Sequence, residues 1–202
     1  MLRASVIKRP SASIKSPYVA DIELEDGTHA LCHTPSLGCS GLVEKGKTIY
    51  VVEGKQGSKT QYTAQLAECA DETGLYYVGI NPLVSQKAAH DILTEISPDA
   101  VWKSEVVVDT HTRIDYVGLC PSGKKIYVEV KTAMISTQCH VCRHTRRAVF
   151  PEGYRKKKTD TISPRAVKHA KTLAELMKRE DTEMCMLLFV VPRVDCNGGL
   201  EK

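Results

Sequence analysis

Arg113-Ile114-Asp115, followed after a short turn by Tyr127-Val128-Glu129-Val130-Lys131, decides how this chain is read. Residues two apart on a strand face the same way, so Glu129 and Lys131 emerge on one side while Val128 and Val130 point to the other. Pro121-Ser122-Gly123 separates two β-rich runs, 114–120 and 124–132, and predicts a hairpin. If Cys120 pairs with Lys124, antiparallel counting sets Asp115 directly across from Glu129, with Cβ atoms roughly 4.5 to 5.5 Å apart. Two carboxylates that close repel unless a cation sits between them, and a hard divalent ion such as Mg²⁺ or Mn²⁺ suits oxygen ligands. Lys131 can then orient a water beside the ion or neutralise charge developing on a phosphate. The bland alternative is a surface strand pair with an ordinary Glu–Lys contact, since ExK is common by chance.

Working outward, the segment before the hairpin changes character near Asn81-Pro82. Upstream, runs at 18–24 and 28–33 flank Asp26-Gly27, a strong hairpin signal, and further alternating runs lie at 47–53, 61–69 and 75–80. Five short strands with Gly-rich connections predict a small β-barrel of the oligonucleotide/oligosaccharide-binding (OB) type over residues 1–80. Downstream, Leu83, Val84, Ala88, Ala89, Ile92, Leu93 and Ile96 recur at helical spacing, ending before Pro98. A strand at 102–108 leads into the hairpin. Ser163-Pro164 opens a second helix with an apolar stripe of Val167, Ala170, Leu173, Ala174 and Met177. The apolar run 184–191, closed by Pro192, predicts a central strand covered on both faces. Residues 81–202 therefore read as a mixed-sheet α/β (α+β) domain.

Composition bounds the rest. With 202 residues, 42% hydrophobic and 26% charged, the chain can build one large or two small cores. It has no apolar run long enough to cross a bilayer, and its start lacks the apolar core of a secretory signal, so a soluble intracellular protein is expected. Eight dispersed cysteines then read as free thiols.

The net charge of +4 is less informative than its distribution. Arg143, Arg146, Arg147, Arg155, Lys156, Lys157 and Lys158 face a single nearby acid, Glu152, and such a segment favours a polyanion through phosphate contacts. Taken alone, a charge run is more often a solvated loop. Its place soon after the ExK strand argues instead for nucleic-acid binding. Within the same region, Cys139-His140-Val141-Cys142-Arg143-His144 offers a zinc half-site with His144 as a third ligand. A structural zinc site needs four ligands and the chain has no second CxxC, so an incidental thiol pair is the better reading unless Cys32, Cys39, Cys185 or Cys196 is brought close.

In order and spacing, these segments resemble the sugar fermentation stimulation protein family (SfsA-like). The resemblance is carried by Ala20-Asp21-Ile22-Glu23-Leu24, His33-Thr34-Pro35-Ser36-Leu37-Gly38, Val78-Gly79-Ile80-Asn81, Ser104-Glu105-Val106, the two quoted stretches, Phe150-Pro151, Lys168-His169 and Leu187-Leu188-Phe189-Val190-Val191. It implies a small N-terminal OB-like barrel followed by a PD-(D/E)xK restriction-endonuclease-like domain. Asp115 and Glu129 correspond to the family's metal-binding acids, Lys131 to its catalytic lysine and Glu105 to a further acid near the metal. Lys168, His169 and Arg113 are implied neighbours of the site; without the resemblance, His169 reads as a histidine on the exposed side of a helix. The chain departs from the family pattern where Glu152-Gly153 follows Phe150-Pro151, where a basic insertion precedes the helix, and where Ser163-Pro164-Arg165-Ala166 replaces the usual turn. Relatives run on past Arg193-Val194-Asp195-Cys196, so a terminal family element is expected to be missing. The expected function is a Mg²⁺- or Mn²⁺-dependent nuclease that hydrolyses phosphodiester bonds, with DNA favoured over RNA. The alternative is a non-catalytic DNA-binding regulatory protein, and a redox or zinc-linked module built on Cys139 and Cys142 ranks last.

Overall fold

A computed structural model describes residues 1–109, 112–137, 146–150, 164–196 and 200–201. The chain forms two compact units, one of Met1–Val84, Ala133–Phe150 and Val191–Lys202, the other of Ser85–Thr132 and Pro151–Val190. The first cut lies close to the composition change at Asn81-Pro82. Two later segments return to the first unit, so a single boundary at residue 80 does not describe the chain.

The first unit is a six-stranded sheet in the order β3-β2-β1-β4-β5-β6, formed by β1 (Leu2–Lys8), β2 (Val19–Leu24), β3 (His29–His33), β4 (Thr48–Glu53), β5 (Tyr62–Asp71) and β6 (Gly74–Gly79). The β2–β3 turn forms as its Asp-Gly signal predicts: Gly27 has φ 82°, and Thr28 N–H donates to Asp26 Oδ1 at 2.9 Å. Strand β1 was hidden by its short alternation among Arg3, Ser5 and Lys8, yet Ala4 and Val6 are buried against β2 and β4. β3 also pairs with β5 in parallel, through Cys32↔Tyr62 and His33↔Thr63. Pairing thus runs from β3 through β2, β1, β4 and β5 and returns to β3. Ile22, Ile49, Val51, Val78 and Ile80 fill the core beneath it.

Three short strands complete this unit: β10 (Ile135–Ser136), β11 (Ala148–Val149) and β13 (Leu200–Glu201). A buried charge cluster fastens them. Arg146 is 2% exposed and pairs with Asp71 at 2.8 Å and Asp195 at 3.0 Å, while Arg193 takes Asp195 at 2.8 Å and donates to the Met134 carbonyl at 2.7 Å. Arg146 is therefore not the nucleic-acid contact that its place in the basic run suggested; two carboxylates inside the unit hold its guanidinium. Arg147 is exposed. Arg143, Arg155, Lys156, Lys157, Lys158, Cys139, Cys142 and His144 lie outside the described residues.

The second unit carries a four-stranded sheet in the order β12-β9-β8-β7, from β7 (Val101–Asp109), β8 (Thr112–Leu119), β9 (Lys125–Thr132) and β12 (Thr182–Val190). The chain is thus a mixed α+β protein dominated by sheet, with helices α1 (Pro82–Ile96) and α2 (Pro164–Leu176). β9, not β12, is the buried central strand: Ile126 to Val130 are all buried, whereas β12 ends the described sheet and exposes Met184 and Leu187. An apolar run fixed strand identity but not position, because an edge strand can also be apolar when its neighbour is parallel. The apolar stripes expected on the two helices are buried only in part, through Ala89, Leu93 and Leu173. On α1, Ser85, Ala89 and Leu93 are buried while Leu83, Val84, Ile92 and Ile96 are exposed. On α2 the buried face is His169, Leu173 and Leu176, spaced i, i+4 and i+7, and Val167 and Met177 face out.

Candidate active site

The hairpin register is the predicted one. β8 and β9 pair from Leu119↔Lys125 to Tyr116↔Val128, and Cys120 N–H donates to the Lys124 carbonyl at 2.9 Å. One step further, where Asp115 and Glu129 come level, the Asp115 carboxylate takes over from the backbone: Val130 N–H donates to Asp115 Oδ2 at 2.7 Å. A side chain that accepts a main-chain N–H of the neighbouring strand is fixed as firmly as the sheet. The sequence thereby sets both acids at one position of a rigid scaffold.

Glu129 is 2% exposed, an unusual place for a carboxylate. Its Oε1 accepts from Lys131 Nζ and from His169 Nδ1, which requires a proton on Nδ1 of the histidine. Lys131 Nζ lies 3.5 Å from His169 Nδ1. The second oxygen, Glu129 Oε2, is buried with no hydrogen-bond partner among the described residues. Burial pushes the Glu129 carboxyl up, but the hydrogen bonds from His169 and Lys131 outweigh it and hold the group below its ordinary value. Asp115 moves the other way. Burial raises its carboxyl, the Val130 N–H opposes this only in part, and the nearby charges of Glu129 and Glu105 add to the rise.

Glu105 sits on β7 between the pairs Ser104↔Tyr116 and Val106↔Ile114, level with Asp115. Its backbone is left-handed, φ 55°, in the middle of a strand, a conformation that costs of order 1–3 kcal/mol and persists where its surroundings enforce it. Arg113 donates to Glu105 Oε2 at 3.1 Å. Gln86, on α1, donates from Nε2 to Glu105 Oε1 at 2.7 Å and to Asp115 Oδ1 at 3.4 Å. Glu105, Arg113, Asp115, Lys168 and His169 line one cleft of about 610 Å³, which Arg165 also borders. Five residues singled out in the sequence thus share one cavity, and Glu129 and Lys131 join it through His169.

Sequence reasoning missed Gln86 and Arg165. Gln86 is a lone polar residue beside the Ser85–Ala89–Leu93 buried face, and only the three-dimensional packing of α1 on β7 and β8 gives it meaning. His169 is the clearer lesson. It occupies the i position of the buried face of α2, a place the apolar stripe had been expected to fill.

A family description, "Sugar fermentation stimulation protein RE domain", matches residues 80–198. The chain belongs to the sugar fermentation stimulation protein family. Among family members, a sugar fermentation stimulation protein homolog of Alteromonas mediterranea is 30% identical over 188 residues, covering 87% of this chain and 69% of the relative. A Caulobacter vibrioides homolog is 29% identical, covering 89% of this chain and 70% of its own length. The fold is shared with the Pyrococcus furiosus SfsA structure, solved in complex with Ca²⁺, at a TM-score of 0.72 and 20% identity over 98% of this chain and 75% of that one.

The donor chemistry can be tested against a cation on this chain's own atoms. Among the described residues, no three His, Cys, Asp or Glu side chains already converge as an ion cage. Even so, Glu105 and Asp115 on the cleft and Glu129 behind His169 offer carboxylate oxygens, one of them buried and unpartnered among the described residues, with a second acid whose charged form is disfavoured as it stands. A hard divalent ion answers both features.

Proposed function

We propose that this family member is a divalent-cation-dependent nuclease acting on DNA, with Asp115 and Glu129 as the groups that would hold Mg²⁺ or Mn²⁺. The observation that carries the reading is the buried, unpartnered Glu129 Oε2 beside Asp115, with a lysine two residues along the same strand. When bound, such an ion polarises a phosphoryl oxygen and lowers the pKa of a water. Lys131 holds its ammonium in the cleft by its bond to Glu129, where it can orient the attacking water and balance charge developing on the phosphate. His169 bonds the same Oε1 as Lys131 and so fixes the Glu129 carboxylate with Oε2 left unpartnered among the described residues. Arg113, Arg165 and Lys168 bring positive charge to the cleft mouth, where a polyanionic backbone would pass. The calcium reported for the Pyrococcus furiosus relative suits the same all-oxygen donor set. In this reading the second unit is a PD-(D/E)xK domain, and the ring of pairings β3-β2-β1-β4-β5 is an OB-like barrel suited to nucleic acid.

A second reading, a DNA-binding regulatory protein that does not cut, is favoured by one observation: Lys131 and His169 already occupy Glu129 Oε1. Incubation of labelled single- and double-stranded DNA with Mg²⁺, Mn²⁺ or chelator separates the two. The nuclease reading expects cleavage that chelator and Lys131→Ala both abolish while DNA binding persists. Binding without cleavage under every condition, falling steeply with salt and indifferent to metal, would establish the second.

A further inference from the structure

The Gln86 side-chain amide stands between two of the three acids. The Nε2 group donates to Glu105 Oε1 at 2.7 Å and reaches Asp115 Oδ1 at 3.4 Å, so one amide bridges β7 and β8 where their carboxylates come level. The orientation is fixed by chemistry: with carboxylate oxygens on both sides, only the NH₂ end can face them. The partial positive charge of that NH₂ thus lies where a cation shared by the two acids would reduce their repulsion.

Two further features suit Gln86 to this task. Glu105 is held in the left-handed backbone region, and its two oxygens are taken by Gln86 on one side and Arg113 on the other, which fixes its carboxylate toward Asp115. The helix itself is anchored independently of the Gln86 side chain, because Tyr116 Oη donates to the Gln86 backbone carbonyl at 2.8 Å. Truncating the side chain leaves that anchor intact. A half-turn about its last side-chain bond exchanges NH₂ for a carbonyl oxygen at the same place, a turn that a cation between the two acids would favour.

We infer that Gln86 is a positioning residue and additional oxygen donor of the cation site: its NH₂ holds Glu105 and Asp115 together in the ion-free protein, and its Oε1 turns to the cation once one is bound. The inference rests on the proposed cation-dependent reading and extends it to a residue on α1.

Calcium titration by isothermal calorimetry on the full chain tests it, with the ion-free melting temperature of each variant measured alongside. Gln86→Ala should weaken calcium binding by about 10- to 100-fold, the usual effect of losing a supporting group around a metal, and should lower the ion-free melting temperature because Glu105 and Asp115 lose the amide between them. Gln86→Glu, which keeps an oxygen at that place, should bind at least as tightly as the wild type. Calcium affinity of Gln86→Ala within about twofold of the wild type would overturn the role of Gln86 while leaving the cation reading standing. An unchanged ion-free melting temperature in Gln86→Ala would overturn the part its NH₂ plays between Glu105 and Asp115. No binding by the wild type would overturn the cation reading and the Gln86 role with it.

Discussion

Glu129→Gln separates what the carboxylate does for the fold from what it does for an ion. In the ion-free protein, Glu129 is the counter-charge of Lys131, whose side chain is 16% exposed, and the hydrogen-bond acceptor of the buried His169. The substitution keeps an acceptor oxygen but removes the charge, leaving an ammonium in a nearly closed site without its anion. Removing one member of a buried pair costs about 3–5 kcal/mol, and the retained acceptor places this case near the lower end, about 3 kcal/mol. For a chain of this size each kcal/mol moves the melting temperature by about 2–4 °C, so a fall of about 6–12 °C is expected. The ion response should change as well. Calcium at a hundred times its dissociation constant stabilises a binding-competent protein by about 2.7 kcal/mol, a rise of about 5–11 °C in the wild type. Glu129→Gln should show almost none of it. Differential scanning fluorimetry with calcium and with chelator reads both effects. An unchanged melting temperature would refute the buried pair, and a preserved calcium shift would refute the assignment of Glu129 as an ion-holding group.

Asp115→Asn should behave oppositely in the ion-free protein. The raised Asp115 carboxyl means that its charged form is a liability, fully present above the folded value and absent once pH falls below the unfolded one; the amide removes that liability and can still accept from Val130 N–H. Chemical denaturation at neutral pH should therefore find the variant at least as stable as the wild type, though calcium no longer protects it. Asp195 is a buried acid-sensitive group of the first unit. Burial pushes its carboxyl up, but Arg193 and Arg146 outweigh this and depress it, so its contribution is complete above the unfolded value of about 3.9 and is lost as pH falls through the lower folded one. Asp195→Asn should cost about 3–5 kcal/mol at pH 7 and flatten the acid limb of a stability–pH profile below about pH 4. Gly118→Ala tests packing away from the site: an added Cβ would meet the Trp102 ring at 2.9 Å, and a loss of about 1–3 kcal/mol in urea denaturation is expected.

Local signals carried well where chemistry and geometry share a short stretch of chain. The hairpin turn at Pro121-Ser122-Gly123 fixed the register, and the register brought Asp115 level with Glu129. The Asp26-Gly27 turn placed β2 and β3 in the same way. Long-range placement was less legible. Nothing in the alternation of β5 or the composition of the tail announces that Asp71 and Asp195 will neutralise Arg146, so a buried arginine read as a surface one. β12 looked central because apolar content reports burial and not rank in a sheet. Periodicity also misled on α2, where a histidine bound to a buried acid replaces an aliphatic residue at the core position. These failures share a cause: buried polar groups satisfied by distant partners look like surface groups in sequence, and they concentrate where the fold carries chemistry.

The most direct test is anomalous diffraction from crystals soaked in Mn²⁺. The account predicts one manganese peak in contact with both Asp115 and Glu129, with Lys131 beside it. Full manganese occupancy elsewhere in the crystal, with the Asp115–Glu129 cleft bare, would contradict it.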